Sequence, residues 1–390
     1  MRLPRPRALC AVVLAAALTG GGASAAPPAT VPTTGSAPAP AAAPTPADGP
    51  RTVEGWPVGA PSSLGLSGRA LERGARQARR LGSTCFAVLR NGRLAHESSW
   101  GTPRDVPREV FSITKSVTST LVGIAVRDGD LRLDDRVATY VPQWRGTPSA
   151  RVTVRHLLSN DSGRYWSLES DYGDLVRARS RTAYAVGLTQ QHPPGSAWAY
   201  NNAAIQVLEA VLERATGRPV ADFARTRLFE PLGMDHSSLV TDRAGDTAVF
   251  YGLQSTCLDL ARFGSLYLGK GAVGGTRLLD RGYVARAVGR SSTVHNAAYG
   301  YLWWLNRPGL LRGATDAVDG QGQPVSPVTG QLAPSAPADV YAALGLGGQV
   351  LLVDPTSRTM VIRLGAPAQA GEEAYGLGDA AAVLTGALRR

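Results

Sequence analysis

The sequence predicts an α/β chain of the α+β kind, with one sheet assembled from segments near both chain ends and a largely helical insert between them. Three observations lead there. Strand-like runs stand at 85–100 and return at 340–364, helical periodicity dominates the stretch between, and a last helical run closes the chain. With 390 residues and an apolar fraction of 44%, the chain can bury a large globular core.

The N-terminus reads as a secretory signal. Arg2, Arg5 and Arg7 form a positive start, residues 8–18 are an apolar core too short to span a bilayer, and Ala23-Ser24-Ala25 is a small-residue cleavage site. Residues 1–25 are assigned to that signal. Residues 26–52 are nearly all Ala, Pro, Thr, Ser and Gly, a composition that cannot bury a core, and form a disordered spacer. The folded domain is expected over 53–390. Within it, 71–81 has the spacing of an arginine-rich amphipathic helix. Residues 85–90 form a strand, Asn91-Gly92 a hairpin turn, and 93–100 the return strand. A helix follows from 111 to about 127, with Ile113, Val117, Leu121 and Ala125 on one stripe and Gly129 as its stop. The stretch 131–158 is mixed. Helical patterns then run to about 268, clearest at Asn202–Thr216 and 220–228, and 278–288 adds another. Strands are expected at 299–305, 340–344, 349–353 and 360–364, with Asp354-Pro355-Thr356-Ser357 turning between the last two, and a helix over 377–388.

Phe111-Ser112-Ile113-Thr114-Lys115-Ser116 carries the strongest chemical signal. Ser112 and Lys115 are three apart and share one helix face. Ser112 lies in the first turn, where free N–H groups and the helix dipole favour a developing anion. A lysine becomes a base only when it is desolvated or set beside other positive charge, and it can then take the serine proton. Composition sharpens this reading. The chain has two lysines, Lys115 and Lys270, against 39 arginines. An exposed cation here would be expected to be arginine, which cannot act as the base.

Two further stretches can carry chemistry. Tyr200-Asn201-Asn202 stands just before a long helix, after Pro193-Pro194-Gly195. Its tyrosine could relay a proton and Asn202 could hold a substrate amide or the lysine; the alternative is a capping asparagine with a packed tyrosine. Gly345-Leu346-Gly347-Gly348-Gln349 lies between two strands. Glycines in a strand mark a bulge or the close approach of a ligand, and a backbone N–H there could complete an oxyanion hole. A bulge without function is the alternative.

Other features exclude function classes. The stretch 264–270 fits G-x-x-x-x-G-K, but Gly271 replaces the Ser or Thr that would hold magnesium, and the pattern there is helical, so no phosphate loop is expected. The five histidines are scattered and no Cys or His set has ligand spacing, so no metal or other cofactor is expected. Cys10 leaves with the signal. Cys85 and Cys257 read as small core residues, although a secreted protein could pair them. Net charge is +11, or +8 without Arg2, Arg5 and Arg7, and it forms no basic block. Nucleic acid is therefore not an expected partner, and neither is stable membrane insertion; loose contact with an anionic cell envelope remains open.

Together these stretches resemble the penicillin-recognising serine hydrolases, in the branch of class C β-lactamases, D-Ala-D-Ala carboxypeptidases, esterases and nylon-oligomer (6-aminohexanoate-dimer) hydrolases. The resemblance covers roughly residues 80–370. The S-x-x-K motif matches Ser112 and Lys115, and Y-x-N matches Tyr200 and Asn202. Supporting phrases are Thr153-Val154-Arg155-His156-Leu157-Leu158 with Ser162-Gly163, and Tyr299-Gly300-Tyr301-Leu302-Trp303-Trp304; the latter and the 345–349 stretch are most similar to the nylon-oligomer hydrolase and esterase side. The resemblance implies a β-lactamase-like fold, an antiparallel sheet flanked by helices with an all-helical insert subdomain, and a site in the cleft. It implies Ser112 as acylated nucleophile, Lys115 as its base and Tyr200 as acid/base for the leaving group. It places the oxyanion hole on the backbone N–H groups of Ser112 and Gln349, and substrate contacts at Asn202, Leu346, Gly347 and Gly348. One departure stands out. Where the family has K-T-G or H-x-G, aligning Gly348 with the glycine puts Leu346 at the cationic position. A leucine cannot help hold a substrate carboxylate.

The sequence thus predicts a secreted serine hydrolase that cleaves a small-molecule or peptide-like ester or amide through an acyl-enzyme. A β-lactamase or D-Ala-D-Ala carboxypeptidase is the runner-up, and a non-catalytic envelope or penicillin-sensing protein is the reading from another class. Mass spectrometry of the secreted protein is expected to find its N-terminus at or near Ala26. Mature, membrane-bound protein that still carried Met1 would rule this out.

Overall fold

The computed structural model describes residues 51–315 and 328–389. The signal and all but the last two residues of the spacer lie outside them. Among the described residues the main sheet has six strands: β1 (Ser83–Arg90), β2 (Arg93–Ser99), β3 (Trp304–Leu305), β4 (Tyr341–Gly345), β5 (Gln349–Asp354) and β6 (Thr359–Gly365). Their order is β3-β4-β5-β6-β1-β2, and every neighbouring pair is antiparallel. The two chain ends meet at β6 and β1, where Thr359 pairs with Arg90 and Leu364 with Cys85. Asn91 (φ 51°) and Gly92 (φ 72°) are both left-handed, as the two-residue turn between β1 and β2 requires.

The helices that position the site are α1 (Gly68–Arg80), α2 (Ile113–Asp128), α3 (Val154–Ser159), α4 (Asn202–Thr216), α5 (Cys257–Leu268) and α6 (Leu377–Ala387). Side chains alternate across a strand, so each strand serves two cores. Phe86, Val88, Val350, Leu352 and Val361 pack with Leu71 and Ala75 of α1 and with Ala380 and Leu384 of α6. Ala87, Leu89, Leu351, Val353 and Ile362 face the other way, towards Val117 and Leu121 of α2 and Phe263 of α5. The helical insert, which includes α3 and α4, continues that second core away from the sheet.

Helix α2 is buried all round from Ile113 to Ala125, as a helix through the middle of a large core must be. Its hydroxyls find partners there. Ser116 donates to Leu302 O at 2.8 Å and Thr118 to Val249 O at 2.6 Å, and Thr120 meets the Tyr267 hydroxyl at 2.8 Å. Gly123 is a point of close approach, because a Cβ there would lie 2.6 Å from both Leu279 and Tyr283 side-chain atoms. Gly129 (φ 85°) ends the helix.

Three local expectations are revised. Of 299–305, only Trp304–Leu305 is strand. Leu302 takes φ 56°, and the preceding amides bond elsewhere: Gly300 N–H to Trp303 O, Tyr301 N–H to Ala287 O, and Leu302 N–H to Leu158 O. The aromatics there serve packing and not a ladder. The 345–349 stretch is a hairpin turn and not a bulge. Gly345 pairs with Gln349, and Gly347 and Gly348 both take φ 76°, which glycine alone adopts without strain.

Cys85 and Cys257 are disulfide-bonded, with Cα atoms 6.4 Å apart. Composition and local pattern read them as free core residues. The reason they meet is a face argument across two elements: Cys85 shares the side of β1 with Ala87 and Leu89, and Cys257 opens α5, which packs on that side. The bond closes a loop with a sequence separation of 172. Its reduction, or a Cys85→Ser/Cys257→Ser pair, is expected to lower unfolding free energy by about 2–4 kcal/mol. Urea unfolding with and without reductant reads this, and an unmoved midpoint would refute it.

Candidate active site

Ser112 sits at the N-cap of α2, but its side chain makes no capping bond and is left free to react. The residue before it, Phe111, takes φ 48°, a conformation unfavourable for a bulky side chain. Neighbouring bonds hold it there. Thr114 Oγ1 donates to Phe111 O at 2.5 Å and accepts from Leu253 N–H at 2.9 Å, and Val110 N–H donates to Leu253 O at 3.1 Å. Among the described residues, no partner takes the Ser112 N–H. That leaves a free donor at a helix start, beside the hydroxyl.

Lys115 lies one turn on and is 1% exposed. Its Nζ donates to Ser112 Oγ at 2.7 Å and to Phe250 O at 2.9 Å, and it stands 4.7 Å from the centre of the Tyr200 ring. Burial penalises the ammonium and pushes the amine down to about 7, against a weaker upward pull from Asp171. A neutral amine so placed carries a lone pair towards a serine proton.

Tyr200 belongs to the insert and precedes α4. It is wedged among aromatics: Trp304 stacks on it at 5.4 Å, and Tyr299 meets it edge-on at 6.1 Å. Trp166 Nε1 donates to its carbonyl at 3.1 Å. Burial pushes its phenol well above the usual range, and the Ser112 side chain beside it pulls it back. Ser112, Lys115 and Tyr200 are therefore brought together as the motif spacing suggested.

The other expected contacts are placed differently from one another. Asn202 is the first residue of α4; its backbone N–H is held by Asp171, and its buried Oδ1 has no hydrogen-bond partner among the described residues. The capping role beside Tyr200 falls to Asn201, whose Oδ1 accepts from Ala204 N–H at 2.7 Å. Leu346, 44% exposed, is at the tip of the β4–β5 hairpin. Gly347 and Gly348 complete the turn and press on the other side, against Pro367 and the Tyr375 carbonyl. Gln349 lies on β5, an internal strand, and its buried carboxamide bonds Gly365 O at 2.7 Å and Gly365 N–H at 2.9 Å. Backbone N–H groups of an internal strand run along the sheet to its neighbours. The hairpin residue that abuts the Ser112 turn is Gly345, where a Cβ would lie 2.3 Å from Val110 O. The adjoining Leu346 N–H has no partner among the described residues. Gln349 is therefore one strand removed from the place assigned to it.

Sequence reasoning missed Asp171. It is 1% exposed, on a π-helical turn (Ser170–Asp174), and accepts Asn202 N–H at 3.0 Å and Ala203 N–H at 2.9 Å. A lone aspartate in a polar loop carries no sequence signal of burial. Among the described residues no group of three or more His, Cys, Asp or Glu is arranged to hold a metal ion, and no helix is long and apolar enough to cross a membrane.

Comparison with known proteins bears on the fold and the family. The β-lactamase family model matches residues 69–379. A D-aminopeptidase of Brucella anthropi is 29% identical over 174 residues, which is 40% of this chain and 33% of that protein. The esterase EstB of Burkholderia gladioli is 31% identical over 202 residues, 44% of this chain and 51% of the esterase. The match thus spans about a third to a half of these relatives' lengths. Among solved structures, a Bacillus anthracis protein assigned as a 6-aminohexanoate-dimer hydrolase superposes with TM-score 0.62 at 19% identity, covering 76% of each chain.

Proposed function

The chain belongs to the β-lactamase family, and on that premise we propose that it is a secreted serine hydrolase that cleaves an ester or amide bond through an acyl-enzyme on Ser112. The observation that carries the reading is Lys115: a desolvated amine 2.7 Å from a serine hydroxyl, in a chain whose other cations are nearly all arginine. The neutral amine takes the Ser112 proton as Oγ attacks the carbonyl carbon. The Ser112 N–H and an N–H at the Gly345–Leu346 end of β4 hold the oxyanion. Tyr200, beside both groups, passes the proton to the leaving alkoxide or amine. Water then attacks the acyl-enzyme, with the same groups returning the proton to Ser112. The disulfide supports the secreted location, since such bonds persist in oxidising compartments. The net charge supports loose contact with an anionic envelope.

Ser112→Ala is expected to lower kcat/KM for any substrate by at least about 1,000-fold with an unchanged circular dichroism spectrum. Lys115→Arg is expected to be nearly as damaging, because a fixed guanidinium cannot accept the proton. Full activity in either variant would remove the assignment.

The substrate class is read from Leu346. A donor facing a substrate carboxylate contributes on the order of 1.5–3 kcal/mol, or roughly ten- to a hundredfold in binding. The exposed leucine supplies none of it and favours a neutral ester or amide. A second reading, a carboxylate-bearing lactam or peptide, is favoured by Arg312, which lines the narrow cleft with Trp166, Trp198 and Tyr200. Steady-state kinetics separate the two. The kcat/KM for a short-chain nitrophenyl ester is expected to exceed that for a cephalosporin by at least about tenfold, and Leu346→Lys to narrow the gap. A reversed preference that Arg312→Ala abolishes would replace the first reading with the second.

A further inference from the structure

Resting on the reading of Lys115 as the base, the buried acid at the start of α4, Asp171, still lacks a role. We propose that Asp171 is a positioning residue: its carboxylate fixes the start of α4, and with it the Tyr200–Asn202 segment, and it supplies the negative charge that faces Lys115 inside the core. The anchoring is direct. Both carboxylate oxygens accept backbone N–H groups, Oδ2 from Asn202 and Oδ1 from Ala203, so one side chain closes two of the free donors of α4. A carboxylate there also meets the positive end of the helix dipole. Tyr200 stands two residues before that anchor, so its ring position follows from it.

The electrostatic part follows from what else faces the two groups. Around Asp171 are Lys115 of α2, the Tyr200 phenol, the Tyr172 phenol next in the chain, and the Trp166 indole. Around Lys115 are the Ser112 hydroxyl, the Phe250 carbonyl and the Tyr200 and Phe250 rings. Among the described residues Asp171 is the one charged group acting on Lys115. No salt bridge joins them within 4.0 Å, so the carboxylate biases the amine through space without occupying it. That separation leaves the lysine free to face Ser112 while limiting how far burial alone would depress it. Burial raises the Asp171 carboxyl in turn, and the N–H groups of Asn202 and Ala203 oppose this. The two sites titrate as a pair.

The small lysine count makes the test direct. Protein labelled with ε-13C lysine has two resonances, from Lys115 and Lys270, and Lys270→Arg assigns them. In the wild type the Lys115 resonance is expected to show a main inflection well below the usual lysine range and a second, more acid inflection as Asp171 takes up its proton. In Asp171→Asn the second inflection is expected to vanish and the main one to fall by about one pH unit. The acid limb of kcat/KM is expected to move the same way, whereas a purely structural loss would lower the rate at every pH without moving the limb. Asp171→Glu, which keeps the charge, is expected to restore the second inflection. A folded Asp171→Asn protein with an unmoved Lys115 midpoint would overturn the proposal. Should that variant fail to fold, a single inflection in the wild type would overturn it equally. The midpoints are read without substrate, so failure of the hydrolase reading shows separately, as a wild type that acylates nothing.

Discussion

The site depends on one buried cation. Placing Lys115 in the core takes its ammonium out of water, and no surface arrangement of the same residues would do so. The cost falls on the charged form, so the amine can stand neutral near neutral pH and serve as a base. The packing around it serves that state, and Asp171 opposes it. Phe250 O accepts one N–H of a neutral amine, Ser112 Oγ lies where its hydroxyl proton can meet the lone pair, and the Tyr200 ring covers another side. Water would undo this by solvating the charge, and the packed rings of Tyr200, Trp304 and Tyr299 exclude it.

The fold supplies rigidity where the chemistry needs it. Helix α2 can run through the middle of the core because its hydroxyls are all bonded to neighbouring carbonyls and phenols. Its first turn is fixed from three directions: by Leu253 through Thr114, by the strained Phe111, and by Gly345 at the end of β4. The hairpin glycines are there for backbone approach. A side chain at Gly345 would strike Val110, and one at Gly348 would strike Tyr375. The close approach that the glycines of 345–349 suggested in sequence is, at Gly345 and Gly348, an approach to the protein's own backbone.

The legible parts of this molecule were those whose physics is local. The two-residue turn at Asn91-Gly92, the stripe and stop of α2, and the bounds of α4 all follow from spacing and turn chemistry, and they stand where the sequence put them. Ser112 and Lys115 were legible because three residues on a helix fix a distance. What was not legible depends on non-local geometry. Cys85 and Cys257 are joined only because a strand face and a helix start meet across 172 positions. The run 299–305 has strand composition, yet Ala287 and Leu158 capture its amides. Gln349 fell in the right motif, but sheet order sets it on an internal strand. Asp171 has no pattern at all, since only the tertiary fold buries it.

A buried lysine and a buried aspartate that do not touch are a poor way to stabilise a core. Desolvation weighs on both, and hydrophobic replacements of similar volume would often be as stable or more so. Such a pair persists where the charges have work to do that packing cannot. The arginine bias of the chain strengthens the point. Arginine is the more weakly hydrated cation and the better partner for a carboxylate, so a purely structural pair in this chain would be expected to use it, as the surface pair of Asp134 with Arg155 and the pair of buried Asp259 with Arg262 do. Position 115 holds instead the cation that can lose its proton. The cation type, the burial and the unbridged aspartate each weaken the structure slightly; on the proposed mechanism, burial frees the amine to be neutral for part of its working cycle, and the aspartate limits how far that goes.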